Sequence, residues 1–480
     1  MSIHNELVPM VIPTVMIPLT MVSLGLSVLA SFIASLFGID LKWEGPKKLL
    51  EVLLKPKVLA TAFLLNAIFI GGYLGWQWWA NYPKLLRTIQ AQMQERARPS
   101  LINYDDRATV ATQFSLSQEA RPLLRIDQLW RTETKGAIFR APVVTSGRVF
   151  TGNRSGVVSE MDLRTGKVER TFFTGTMVSS EITIWKNKLI IGEGVHDTHH
   201  ARIYRFDLKT GKYEASYQTL GHTEGQAVAA SFKGEDYLLA VAGKDGLHAI
   251  NPVTMEKRWH LNLGHMDAGV LVHEDRVFFG TGREKYDDKK NRTYAAAADL
   301  KTGEVIWKRE LAASSWMRPV IIGTDVCLIS GEIYFPTERG HVSCFNQTSG
   351  EPTLAHNTTD PLAGTPKVIG DSILFTSIHG QVCRFDVKAR KNLWCFDTKA
   401  TDISLAGASY DSQGHVVIYP SVKTGLYVLN ADTGALVQHW QPSAEQGEWK
   451  KTMGDVTVSD GMWVVADYEG SVRVLRPTYE

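Results

Sequence analysis

The sequence predicts an all-β fold, an eight-bladed β-propeller, preceded by a two-helix transmembrane hairpin. Three observations carry this reading. A strand-and-turn unit recurs from Leu129 to the end of the chain, an unpartnered strand precedes the first copy while the last copy lacks one, and two long uncharged stretches occupy the first 80 residues.

The apolar stretches come first. Residues 58–79 run for 22 positions without a charge, and at ~1.5 Å per residue such a helix spans a hydrocarbon core of about 30 Å. Trp76, Trp78, Trp79 and Tyr82 gather at its end, as aromatic side chains do at a membrane interface. Residues 7–37 are also uncharged, but Pro9, Pro13 and Pro18 interrupt their first part. Helices are therefore expected at about 14–37 and 58–80, within a hairpin over 1–82. The first stretch lacks a basic leader and is longer than a signal-peptide core of roughly 7–15 residues, which argues against cleavage. The connecting loop holds Lys42, Lys47, Lys48, Lys55 and Lys57, and no Lys or Arg precedes Val8. The positive-inside rule then places that loop in the cytoplasm and both ends of the chain outside, with Lys84 and Arg87 counting against. Residues 83–126 read as a helical extension and linker: Leu85, Leu86, Ile89 and Met93 form one stripe, Pro99 ends it, and no period follows.

From Leu129 onward each unit has a strand, a turn, a second strand ending at Asp or Asn, and a Thr-Gly turn. The marker residues are Asp162, Asp207, Asn251, Asp299, Asn346, Asp386 and Asn430, separated by 45, 44, 48, 47, 40 and 44 residues. That period, with four short alternating strands, suits a propeller blade. The Asp or Asn caps the turn with its short side chain, and Gly supplies the positive φ. An eighth copy from Met462 lacks its last strand, and residues 127–133 (DQLWRTE) form a strand before the first copy. Joined, the two close a ring of eight blades over 127–480 and leave no open sheet edge; seven blades is the alternative.

Composition narrows the function. Lys+Arg 52 against Asp+Glu 50 leaves a formal charge of +2, which excludes a dedicated nucleic-acid binder with its basic excess. No phosphate-binding loop, dinucleotide glycine pattern, HExxH or nucleophile elbow stands in a convincing context.

The repeat resembles the PQQ-like propeller family. Asp162 with Thr165 and Gly166, Asp207 with Thr210 and Gly211, and Asp299 with Thr302, Gly303 and Trp307 match its unit. Trp130, Trp259, Trp394 and Trp440 match its blade-packing Trp, while Phe172, Tyr217 and Leu354 depart from it. The resemblance implies one of two branches, quinoprotein dehydrogenases or non-catalytic propellers of the BamB type. The soluble alcohol-oxidising dehydrogenases carry two adjacent cysteines beneath the quinone, and this chain has no such pair. The BamB-type branch fits better, apart from the helical anchor. The expectation is a bacterial inner-membrane protein with a periplasmic propeller, a non-enzymatic interaction scaffold or accessory subunit of a cell-envelope complex serving outer-membrane protein assembly or envelope transport. Its partners are membrane and envelope proteins, with no cofactor and no small-molecule substrate. A PQQ-dependent dehydrogenase is the alternative.

In a propeller, the loops joining second to third strands share one face with those joining blades. Three of the former are long: residues 196–201 (HDTHHA), 283–293 (REKYDDKKNRT) and 332–340 (EIYFPTERG). Loops gathered on one face of a rigid scaffold usually bind, so His196, His199, His200, Tyr286, Asp287, Asp288, Tyr334 and Phe335 are partner candidates. Two inter-blade loops repeat a His-x-acid pattern, His222 with Glu224 and His265 with Asp267. These four could hold Zn²⁺, but no short ligand spacing supports an ion. They are read as loop or partner contacts, and no metal is assigned. Trp316 and Arg318 precede the fifth blade; they are either interface anchors or, for Trp316, core packing. Cys383 and Cys395 flank a turn in blade 6, while Cys327 and Cys344 lie on neighbouring strands of blade 5. Two bridges and four thiols both remain open on the sequence alone.

Overall fold

The turn that ends each repeat is built from local hydrogen bonds. The Asp162 carboxylate accepts from the Thr165 backbone N–H at 2.9 Å, and Gly166 follows at a φ of 71°. Asp207, Asn251, Asp299, Asn346, Asp386 and Asn430 each accept in the same way from the residue three positions on. Each turn thus folds its last two strands into a hairpin without help from the rest of the chain.

The computed structural model describes Thr88 and residues 90–480, except 108–112, 117–120, 197, 284–290 and 334–338. Among these residues eight antiparallel sheets follow one another, at 143–173, 183–219, 228–261, 271–311, 320–357, 362–397, 409–440 and 457–479. They are blades 1 to 8. The last has three strands of its own and takes its fourth from Leu123–Glu133, which pairs antiparallel with Ser471–Tyr479 and sets Trp130 opposite Val474. The closing strand begins four residues earlier than the expected 127. The ring has eight blades, closed as expected by its first and last segments.

Eight clusters of buried apolar side chains form, one at each blade-to-blade interface. The blade-packing Trp explains their regularity. The indole N–H of Trp259 donates to the Leu300 carbonyl of the next blade at 3.0 Å, and its ring lies on Gly303, where an added Cβ would sit 2.6 Å from the indole. Trp130, Trp307 and Trp394 repeat both features with Leu163 and Gly166, Gln347 and Gly350, and Ala431 and Gly434. Trp440 does not. Register puts Gln438 at the equivalent place, opposite Val428, and Trp440 packs instead on Trp449 at 6.3 Å. In blade 1 the equivalent residue is Arg170, opposite Glu160, not Phe172. Trp440 and Phe172 both stand six residues after the turn glycine, Gly434 or Gly166, whereas Trp307 stands four after Gly303, so each falls one pleat repeat beyond the place of the packing indole.

Much of the linker packs on the Thr-Gly face of the ring. Residues 90–95 are helical and bury Met93 among blade 1 and 2 side chains. Ser100 N–H donates to Lys209 O at 2.6 Å, Asp105 N–H donates to Ser146 Oγ at 3.0 Å, and Arg107 bridges to Ile184. Gln113–Phe114 then adds a parallel fifth strand to blade 6, beside Val368 and Ile369. Among the described residues no helix is long and apolar enough to cross a membrane; the expected hairpin over 1–82 lies outside them.

Both cysteine pairs are bridged, Cys327 with Cys344 and Cys383 with Cys395. Each pair stands directly opposite across two antiparallel strands.

Candidate functional site at the axial mouth

Three loops bring the histidines together. His196 lies between Lys188–Gly192 and Ala201–Asp207 in blade 2, His222 between blades 2 and 3, and His265 and Asp267 between blades 3 and 4. Backbone bridges pin the third loop, pairing Met266 with Gly243 and His265 with Gly282. Gly243 has a φ of 51°, and a Cβ there would lie 2.6 Å from the His222 ring. Only a residue without a side chain lets that imidazole in.

The Asp267 carboxylate is the hub. His222 Nε2 donates to its Oδ1 at 2.7 Å and His265 Nε2 to its Oδ2 at 2.8 Å. His196 Nδ1 stands 3.8 Å from Oδ2. The three ring centroids are 5.0–5.4 Å apart. His222, His265 and Asp267 are buried, whereas His196 is partly exposed at the rim. Burial alone would raise the Asp267 pKa, but the hydrogen bonds from His222 and His265 hold it far below the usual carboxylate range. Glu224 is shifted the opposite way, pushed up by burial and then by the negative charge of Asp267. An ionised Asp beside an acid that resists ionisation confines negative charge to one spot.

The site opens into a cavity of about 270 Å³, lined among others by Arg140, His196, Glu224, Asp267, Trp316 and Met317. The inter-blade loops form its wall.

The sequence paired His222 with Glu224 and His265 with Asp267, and set His196 in a separate group with His199 and His200. The structure regroups them: His196, His222, His265 and Asp267 converge, while His199 and His200 are exposed on the loop outside the cluster. Trp316 and Arg318 offer no exposed anchor. Trp316 donates its indole N–H to Gly331 O at 2.8 Å and packs in the core between blades 5 and 6. Arg318 is buried, donates to Gln226 Oε1 and lies 3.6 Å from Glu181. Tyr286, Asp287, Asp288, Tyr334 and Phe335 lie outside the described residues. Their loops are tied at the base, where Arg283 pairs with the buried Glu332, which also accepts from Ser314 N–H at 3.0 Å. The sequence reading took Glu332 only as the start of the 332–340 loop; an acid just past the apolar strand Asp325–Ser330 was its one signal.

Fold and site define a class: an eight-bladed propeller of PQQ-like repeats whose loops converge over a polar axial cavity. The family described as outer membrane protein assembly factor BamB matches residues 127–309 and 291–459. The chain belongs to that family. Its structure is similar to BamB from Moraxella catarrhalis, with a TM-score of 0.56 and 15% identity over 73% of this chain and 100% of that one. It is similar also to the quinohemoprotein alcohol dehydrogenase of Comamonas testosteroni, with a TM-score of 0.57 and 14% identity over 73% of this chain and 76% of that one. The computationally designed Ika8 protein gives a TM-score of 0.54 and 12% identity over 76% of this chain and 99% of that one. At these identities the likeness is one of fold. No curated protein matches the chain in sequence.

Proposed function

We propose that the protein is a non-catalytic interaction scaffold, held in the inner membrane by its N-terminal hairpin, whose periplasmic propeller docks partners in outer-membrane protein assembly or a related envelope complex. The observation that carries this reading is the BamB family match across residues 127–309 and 291–459. Two supports are independent of it. The bridges Cys327–Cys344 and Cys383–Cys395 suit an oxidising compartment. The second-to-third-strand connections of blades 2, 4 and 5 leave from one face of a ring whose interfaces are packed throughout, a rigid platform for binding.

A quinoprotein dehydrogenase is the rival, and the likeness to the Comamonas testosteroni enzyme is its support. That likeness extends to the fold alone, and all four cysteines are used in bridges within blades 5 and 6, so no adjacent pair faces the axis. The deciding experiment is purification of the full-length chain in mild detergent, with mass spectrometry of everything retained. Stoichiometric recovery of outer-membrane assembly proteins supports the scaffold. A solitary chain that gains dye-linked oxidation on addition of PQQ and Ca²⁺ overturns it.

A further inference from the structure

We propose that His196, His222, His265 and Asp267 form a binding site for a divalent first-row transition cation, with Zn²⁺ the natural probe, at the axial mouth of the propeller. The inference is independent of the scaffold reading. Four potential ligand atoms, one from each residue, lie within 4.8 Å of one another. They comprise three imidazole nitrogens and one carboxylate oxygen, the borderline donors that such ions prefer over Ca²⁺ or Mg²⁺.

A hydrogen-bonded pair needs one His and one Asp. Here three imidazoles surround a single carboxylate, two of them buried with it. The His265 ring is the more telling. Its Nε2 faces Asp267, and its Nδ1 is buried with no hydrogen-bond partner among the described residues. Asp267 is thus the one group that orients the nitrogens of this ring, and it does so from the side on which the other two imidazoles stand. The cradle at Gly243 serves the same end, since it seats the His222 ring against Asp267 at the expense of a side chain.

A cation among these atoms takes the place of the two ring protons that His222 and His265 now donate to the carboxylate. Each ring ligates as the neutral imidazole, its Nε2 proton moving to its own Nδ1, and Asp267 changes from hydrogen-bond acceptor to ligand. Zn–N bonds of about 2.0–2.1 Å require ligand atoms roughly 3.4 Å apart. His222, His265 and Asp267 are already nearly there, and His196, on a partly exposed loop, closes the set from the cavity side. The second histidine-rich group, Asp245 with His248 and His260, is poorer. Tyr217 holds His248 Nδ1 at 3.0 Å, and the Asp245 carbonyl accepts from His260 Nε2 at 2.5 Å, which leaves too few ligands.

The test uses the full-length chain in mild detergent, stripped with a chelator and dialysed against buffered Zn²⁺, and in parallel against Co²⁺. The expected result is one ion per chain, visible Co²⁺ absorption typical of low coordination number, and a thermal midpoint raised by Zn²⁺. Asp267→Asn should abolish binding. His196→Ala should weaken it at least tenfold without lowering the metal-free midpoint, and the neighbouring His199→Ala should leave it unchanged. If Asp267→Asn fails to fold, His196→Ala decides, because its side chain is not part of the core. No ion above background, or an ion retained equally by all variants, overturns the proposal.

Discussion

The Arg170 guanidinium donates to the Leu208 carbonyl at 2.8 Å, the bond that a Trp indole makes at four other blade interfaces. The replacement recruits the linker. Arg170 also donates to the Arg98 carbonyl at 3.0 Å and to the Tyr104 hydroxyl at 2.7 Å, and it pairs with the buried Glu160 at 2.6 Å. Arg98 occupies the place above Gly211 that an indole fills over Gly303. The segment that precedes the propeller therefore supplies part of the joint between blades 1 and 2.

Removing that cation should be costly. Arg170→Met leaves Glu160 buried without its nearest partner, a loss of about 3–5 kcal/mol by analogy with other broken buried pairs. Tyr104→Phe loses the hydroxyl that donates to Glu160 and accepts from Arg170 but leaves that ion pair in place, so it should cost less, about 1.5–3 kcal/mol. The Tyr104 phenol, pushed up to about 12 by burial and then by its bond to Glu160, stays protonated and donates at physiological pH. Denaturant unfolding gives both magnitudes, and hydrogen exchange across 99–107 should rise in each variant. Unchanged protection there would contradict the linker's structural role.

The Thr-Gly glycines should differ from other positive-φ glycines. Gly303→Ala places a Cβ 2.6 Å from the Trp259 indole at a φ of 75°, whereas Gly147 has a φ of 71° and open space. Gly147→Ala should cost about 1 kcal/mol, the backbone share alone. Gly303→Ala should cost about 1–3 kcal/mol more, because the indole is forced from its groove. Equal losses in chemical denaturation would mean that the indole gives way freely.

Acid should weaken the fold through blade 3. Burial, reinforced by His260 and Lys257, holds His248 down at about 4 from its ordinary 6.5, against the pull of Asp245; Tyr217 faces its other nitrogen. Between those values the unfolded chain binds a proton that the folded chain refuses. Stability is therefore lost as pH falls from about 6.5 towards 4. His248→Gln should flatten this decline, seen as a smaller drop in thermal midpoint between about pH 7 and about pH 4.5 than in the parent chain.

The two bridges close loops with sequence separations of 17 and 12. Replacing Cys327 and Cys344 by Ala should cost about 2–4 kcal/mol. A reducing agent should lower the midpoint of the parent chain and leave that of a variant lacking all four cysteines untouched.

The repeat was legible because its turns are local. An Asp or Asn three residues before its hydrogen-bond partner, followed by a glycine at positive φ, folds the same way wherever it stands. The short final copy and the stray strand before the first likewise announced how the ring closes. Trp440 and Phe172 were misassigned because an aromatic residue two positions further along the outer strand points to the same side as the packing indole, and residue type outweighed the four-residue spacing from the turn glycine.

By itself the sequence determined the blade unit, how the ring closes and which cysteines stand near each other, all properties of neighbours along the chain or of a simple period; the structure settled eight blades over seven. Only the tertiary structure decided that His196 joins His222, His265 and Asp267, that Arg318 turns inward, and that the linker caps a blade joint. Those residues meet because ring closure carries loops from successive blades to one axis, and the distance across that axis is not written in the separation of residues along the chain.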